Sequence, residues 1–442
     1  MAEAVAQSAD ELEPQVEPQV EPGAQPLPAA RRLRLLLYAG APILIVNFAA
    51  PTFGLLLLPI TFFLKNRLHL TPNETAHFNL IVAIPLFVSA LAGFARDRWS
   101  PFGAGDRGHL LVFGLATAAA FAVMAFMPPT YALLLGGVLA VTVLMQFTAA
   151  AAQGLATGVG RHHAMTGQMS TIQNTATLAP TVIASLAGGA LSGLLEGARA
   201  ATAARVMFLI GGGLMLLLAA FGALGPRRLF DDARSGSPPP ALSPGRDALR
   251  LLGTYAVYPV LLIQLMWQFA PGANLALQYH LANEFHATDA QVGEFFAIFY
   301  GGFIPVFLLY GWLAQRLRLG VLLWIGAVLA VPQMASLLFI HSANEALLAA
   351  IPMGLLGGIC QAAFTDLAMR SAPKGLEGTM MMMFIALYFI SSRVGDLWGA
   401  DLYQNHGGYN VTLWVTIAVY AAILPVLPFV PRRIRATIDA HG

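Results

Sequence analysis

The feature that most limits what this chain can fold into is a succession of long apolar segments, beginning near Leu35 and continuing with little pause to residue 430. About 30 Å of hydrocarbon at 1.5 Å of rise per residue needs about 20 residues, so each segment is long enough to cross a bilayer as a helix. The spans read near 39–64, 73–95, 109–127, 132–158, 166–194 and 204–224, then 253–281, 289–315, 319–340, 345–369, 377–402 and 409–430. Lipid leaves backbone polar groups no partner outside a helix or a closed barrel. The expected fold is therefore an all-α membrane protein with 12 transmembrane helices. Composition agrees, since 10% of residues are charged and 57% apolar, against about 25% charged in an ordinary soluble domain.

The stretches between these segments organise the chain. Residues 1–34 hold Glu-Pro-Gln-Val at Glu13–Val16 and again at Glu17–Val20; such Pro, Glu and Gln density cannot bury a core and predicts a disordered tail. No short apolar stretch with a small-residue cleavage site precedes the first span, so no cleavable signal peptide is expected. Residues 225–252 carry Pro226, Pro238, Pro239, Pro240 and Pro244 among Arg and Asp, which makes them a linker between six-helix halves at 35–224 and 253–431, with 432–442 as a second tail. The halves share Leu64, Asn66, His69 and Thr71 with Leu281, Asn283, His286 and Thr288 at an offset of 217 residues, as an internal duplication would give.

Charge sets the orientation. With the N-terminus inside, 19 of the 24 Lys and Arg fall on the inner side; only Lys65, Arg67, Arg199 and Arg205 fall outside, and Arg393 lies within a span. Lys and Arg in short loops favour the cytoplasmic face, so both termini are expected in the cytoplasm, with the protein in a plasma membrane, the bacterial inner membrane being the expected case. The net charge of +2 offers nothing to nucleic acid. The lone Cys360 excludes an intramolecular disulfide and, lying in an apolar run without a His cluster, gives no support to a metal or haem site. No cofactor is expected. His162 and His163 follow Arg161 in a loop and read as a solvated basic turn.

After the second span comes Gly93-Phe-Ala-Arg-Asp97-Arg98, followed by Gly105-Asp106-Arg107. This resembles the loop signature of the major facilitator superfamily between spans 2 and 3. The resemblance implies two pseudo-symmetric six-helix halves and a loop that latches them. By position, Gly93 is the contact glycine, Asp97 the latch carboxylate, and Arg98 and Arg107 its basic partners. The cousin after span 8, Gly311-Trp-Leu-Ala-Gln315-Arg316, has Gln in place of the acid. A narrower resemblance points to the folate–biopterin transporter group. It is carried by Phe62–Leu68 with Leu70-Thr71-Pro72, by Trp267-Gln268-Phe269-Ala270-Pro271-Gly272, and by Pro373-x-Gly375-x-Glu377-Gly378-Thr379. Where that group has an acid near span 4, this chain has Thr148-Ala-Ala-Ala-Ala-Gln153.

Polar groups inside the spans are the candidates for function, because hydrocarbon penalises them unless they are paired or wet. Counting rise along each span puts Asn47, Gln146, Gln264, Gln268 and Gln361 near the midplane. The resemblance implies that spans 1, 4, 7 and 10, which carry them, line a central cavity. Gln264 and Gln268 stand one turn apart on one face. Amides donate and accept, which suits a polar, heterocyclic or largely uncharged ligand, though such groups also join helices.

Span 11 carries Arg393, Asp396 and Asp401. Two readings stay open for them: Arg393 attracting an anionic substrate while Asp396 or Asp401 takes a coupling proton, or an outer ion pair. Asp366 is read as a local pair with Arg370, four residues on, and Glu377 as an acid in the first turn of span 11, structural or part of a gate. Pro271-Gly272 breaks span 7, and Pro42, Pro51 and Pro59 fall in span 1, freeing carbonyls that a cavity can use.

Together these features predict a secondary active transporter. It would move a small polar or anionic organic solute, folate- or pterin-like as the best single guess, by alternating access and proton symport. It would work as a monomer in the lipid bilayer, and it would be no enzyme. The alternative is a non-transporting scaffold or pigment-delivery protein on the same fold. Substrate-dependent thermal stabilisation separates the two.

Overall fold

The computed structural model describes residues 27–52, 54–57, 60, 64, 68, 70, 72–128, 130–196, 200–234 and 244–439. Outside the described residues lie most of the first tail, Pro59, Phe62, Phe63, Lys65, Asn66, Arg67, His69, Thr71, Arg199 and Pro238–Pro240.

The described chain is a bundle of helices. The first six spans comprise α1 (Ala29–Ala49), the pair α2 (Pro72–Phe87) and α3 (Ala90–Arg98), α4 (Asp106–Phe126), α5 (Tyr131–His162), α6 (Thr166–Glu196) and α7 (Ala200–Leu224). The linker contributes α8 (Arg227–Arg234) and α9 (Pro244–Gly253). The last six spans comprise the pair α10 (Val257–Gln268) and α11 (Leu275–Asn283), then α12 (Asp289–Leu313), α13 (Leu319–Ala335), α14 (Ala343–Ser371), α15 (Glu377–Asn405) and α16 (Tyr409–Ala421). Among the described residues, 10 helices are long and apolar enough to cross a membrane. The two remaining expected spans fall on α6 and on the broken pair α10 and α11, so each expected span has a helical counterpart.

Helix and hydrophobic segment do not coincide at their ends. α1 begins at Ala29, ten residues before the expected span, because Pro28 opens a helix without needing to donate and the exposed Arg31 and Arg34, with the half-buried Arg32, extend it into polar surroundings. The linker is likewise no plain coil. α8 is amphipathic and buries Leu229, Phe230 and Ala233 against α5, where Gly158 leaves room: a Cβ there would fall 2.7 Å from the Ala233 carbonyl oxygen.

The first six and last six spans meet where α3 and α5 pack on α15, and where α6 packs on α12 and α14. Small residues permit these approaches. A Cβ on Gly93 would stand 2.5 Å from the Gly378 carbonyl oxygen, and one on Gly311 would stand 2.8 Å from Thr171 Oγ1. Span 7 breaks at the expected Pro271-Gly272, and α16 satisfies the freed backbone: Gly272 N–H donates to Thr416 Oγ1 at 2.9 Å, while Tyr409 O–H donates to the Gly272 carbonyl at 2.9 Å. α15 closes the other side, with Gly399 against the Pro271 carbonyl.

Candidate functional site

The amides foreseen at mid-depth separate into those that reach across helices and those that turn inward on their own. Gln361 of α14 accepts from Trp267 Nε1 at 2.7 Å and from Gln268 Nε2 at 3.4 Å, both on α10. Its own Nε2 donates to Asn174 Oδ1 of α6 at 3.4 Å, and Thr365 Oγ1 donates to the same oxygen at 3.2 Å. A polar chain therefore runs from span 7 through span 10 to span 5, about 15 Å along α14 from its end at Ser371. Trp267 is also an aromatic platform, stacked on Tyr420 at 4.8 Å and edge-on to Phe364 at 5.8 Å. Gln264, one turn back, donates to the Phe384 carbonyl of α15 at 3.3 Å and leaves Oε1 buried without a partner. Asn47 and Gln146 are buried, yet each amide N–H donates four residues back on its own helix, to Ile43 O at 2.8 Å and Thr142 O at 3.1 Å.

Span 11 is less concentrated than its composition suggested. Arg393 is 59% exposed and lies 3.8 Å from Asp396, apart from the amide chain. Asp396 sits beside the Leu275 N–H and the Asn274 side chain, at the start of α11, so its charge faces the positive end of the helix that resumes after the span 7 break. Asp401 is exposed and bonds Asn405 at 2.8 Å, with His406 at 3.5 Å.

At the end of the bundle that carries the linker, carboxylates tie the two groups of six spans together. Asp97 accepts from Gly378 N–H at 3.1 Å, Thr379 N–H at 2.6 Å and Thr379 O–H at 2.6 Å, at the N-terminus of α15. Orphan N–H groups and the helix dipole make that end a natural place for an anion. The basic partner of Asp97 corrects the expectation. It is Arg96, 2.6 Å away, which also grips Asp106; Arg98 lies 5.7 Å over the Phe94 ring, and Arg107 donates to the Gly222 and Ala223 carbonyls at the end of α7. Gly154 of α5 decides this, since a Cβ there would overlap the Arg96 guanidinium at 2.3 Å from Cζ. Glu377 pairs with Arg161 at 3.1 Å, and Arg161 donates to the Ala372 carbonyl as well.

Asp366 pairs with Arg370 as expected, at 2.8 Å, and the surroundings were not foreseen. Tyr310 O–H donates to Asp366 at 2.9 Å, and Asp439, from the segment after the last span, binds Arg370 at 2.6 Å. Burial and the neighbouring Asp366 carboxylate push Asp439 up to about 6.

The histidine turn is also less solvated than expected. His163 Nε2 lies 3.0 Å from Asp232 of α8, and burial holds the imidazole below its ordinary range. The ligand atoms of His162, His163 and Asp232 lie within 4.8 Å of one another. His162 is exposed, and Arg31 raises the local potential, so this cluster reads as a tie between loop and linker.

The residues missed in sequence differ in kind. Asn174 sits in an amide- and hydroxyl-rich run, and depth counting extended to span 5 would have found it, whereas Thr365 is a lone hydroxyl one turn from Gln361. Arg96 stands beside Arg98 with nothing in the pattern to separate them. Asp439 has no signal at all.

A family model described as Major Facilitator Superfamily matches residues 14–395. The chain belongs to the major facilitator superfamily. It is thus a multi-pass membrane protein of a transporter family, not an enzyme. Similar solved structures include the proton:xylose symporter XylE bound to 6-bromo-6-deoxy-D-glucose, with TM-score 0.70, 12% identity, and 93% of this chain and 98% of that one covered. FucP in the outward conformation matches with TM-score 0.63, 16% identity and coverage of 89% and 98%. The human organic anion transporter MFSD10 matches with TM-score 0.59, 14% identity and coverage of 91% and 100%. A comparison with curated protein sequences gives no significant match.

Proposed function

We propose that this chain is a secondary active transporter for a small polar organic solute of heterocyclic character, with a folate- or pterin-like compound as the specific candidate. The observation that carries the reading is the chain of Asn174, Gln361 and Gln268 joined to the Trp267 indole that stacks on Tyr420. An aromatic face with convergent amides offers stacking plus both donors and acceptors, the pairing that a heterocycle with ring nitrogens and amide edges requires. Because the chain spans helices from both groups of six, a ligand that replaces these mutual contacts is felt by both.

In this reading 35–224 and 253–431 rock about that level, with 225–252 as the connecting linker and the linker end at the cytoplasm. The contacts of Asp97, Arg161 and Gly93 then close the cytoplasmic side, as an outward-facing state requires. Asn47 and Gln146 add amides from spans 1 and 4. Asp396, at the start of α11, is the proposed proton acceptor; Arg393 holds it charged when the proton leaves.

The test is uptake by proteoliposomes of labelled folate, a panel of pterins and small organic anions, with and without an imposed proton gradient. Gradient-dependent accumulation that Gln361→Ala abolishes supports the reading. Absence of uptake by correctly inserted protein overturns it in favour of a non-transporting scaffold.

A further inference from the structure

The loop after span 2 supplies Asp97, and the matching position after span 8 holds Gln315. The structure nevertheless has a carboxylate capping a helix of the opposite group on each side. Asp97 takes the N–H groups of Gly378 and Thr379 at the start of α15. Asp439 takes those of Gly167, at 3.2 Å, and Gln168, at 2.9 Å, at the start of α6, and Gln168 Nε2 adds a third contact at 3.4 Å. The resemblance extends to the cations. Arg96 is gripped by Asp97 and Asp106, and Arg370 by Asp439 and Asp366.

Asp439 reaches this place along a short backbone path. Leu319 N–H donates to the Thr437 carbonyl at 2.9 Å, and Asp439 N–H donates to the Ala314 carbonyl at 3.0 Å. Its carboxylate thus arrives beside Ala314, one residue before Gln315. Gln315 itself is engaged elsewhere, accepting from Arg32 at 3.1 Å and donating to the Gly311 carbonyl. Asp439 is 2% exposed, although it lies in a segment whose other residues from Arg432 to Ile438 are partly or fully exposed.

We propose that the segment after the last span is the second latch of the linker end: Asp439 provides from outside the loop the acid that position 315 lacks, and must undock before α6 and α12 separate. The proposal rests on the alternating-access reading above, and its consequence is conformational. Closure of this end then depends on a segment that is not part of either helix group. Any event that draws that segment away releases one of the clamps.

The test is a distance measurement on the full chain in nanodiscs. Spin labels are placed through Phe102→Cys and Arg316→Cys; the buried Cys360 leaves the native chain without an accessible thiol of its own. The parent shows one short distance across the linker end. Asp439→Ala, which removes the acceptor altogether, and separately a stop after Ala436, add a population at longer distance comparable to that of Asp97→Ala. Adding Gln315→Asp to Asp439→Ala restores the short distance, an outcome that loss of fold would not produce. A distribution unchanged by Asp439→Ala and by the truncation overturns the proposal, as does a broadened distribution that Gln315→Asp fails to narrow. Failure of uptake alone leaves these distances as they are and bears only on the proposed function.

Discussion

Trp267 and Gln361 meet edge to edge, the indole N–H donating to the amide oxygen at 2.7 Å while the ring stays stacked on Tyr420. This single contact couples the aromatic face of span 7 to the amide chain of span 10, and it separates two contributions to ligand binding. Trp267→Phe keeps an aromatic face and removes the donor. The expected result is a weaker apparent affinity by about tenfold, the worth of roughly one good hydrogen bond, with maximal uptake less affected. Uptake kinetics over a range of substrate concentrations check it.

Arg96 and Arg98 should respond differently to removal. Arg96→Ala leaves Asp97 and Asp106 buried without their cation, which costs about 3–5 kcal/mol in comparable buried pairs. Arg98 is half-buried over the Phe94 ring, and Arg98→Ala should cost about 1–2 kcal/mol, the size of a cation–π contact rather than of a buried ion pair. Thermal unfolding in detergent, run on both variants, measures the difference, and equal losses would contradict the assignment of Arg96 as the partner.

Gly399 faces the Pro271 carbonyl so closely that a Cβ would lie 2.1 Å from the oxygen, with backbone rather than a flexible side chain as the neighbour. Gly399→Ala therefore pushes α15 off the span 7 break. A loss of about 1–3 kcal/mol is expected, seen as a lower midpoint in thermal unfolding, whereas Ala at Gly136, where the space is open, should leave the midpoint within error.

Docking of Asp439 should depend on pH. The groups facing it are Asp366 and Arg370 of α14, Tyr310 of α12, and the Gly167 and Gln168 N–H groups of α6. Docked, Asp439 sits at about 6; in a solvated tail a carboxyl titrates near about 3.9. The docked state holds the proton more tightly, so docking strengthens as the pH falls through 6 and levels off below about 4. From pH 7.5 to pH 5 the docking constant should rise roughly tenfold. The mobile fraction of a spin label at Ile438→Cys reads this directly, and a mobile fraction that grows on acidification would reverse the sign.

The sequence by itself was enough for the membrane class, the spans and the break at Pro271-Gly272, because each rests on local properties: hydrophobic length and proline. It also picked out Gly93 and Asp97, since the loop motif is contiguous. It marked Gln268 and Gln361 as residues at the right depth, and depth along a helix is one-dimensional arithmetic.

Azimuth and partner were decided only by the tertiary structure. Depth counting treats Gln146 and Gln361 alike, but helix packing turns one onto its own backbone and sets the other among Trp267, Gln268 and Asn174. The choice of Arg96 over Arg98 depends on Gly154, 58 positions away in the chain, leaving room for a guanidinium. Asp439 follows the same logic in its strongest form. Its carboxylate gains meaning from the N–H groups of Gly167 and Gln168 on a helix more than 270 residues earlier, and a hydrogen bond between segments so far apart is a property of the packed bundle that no local pattern encodes.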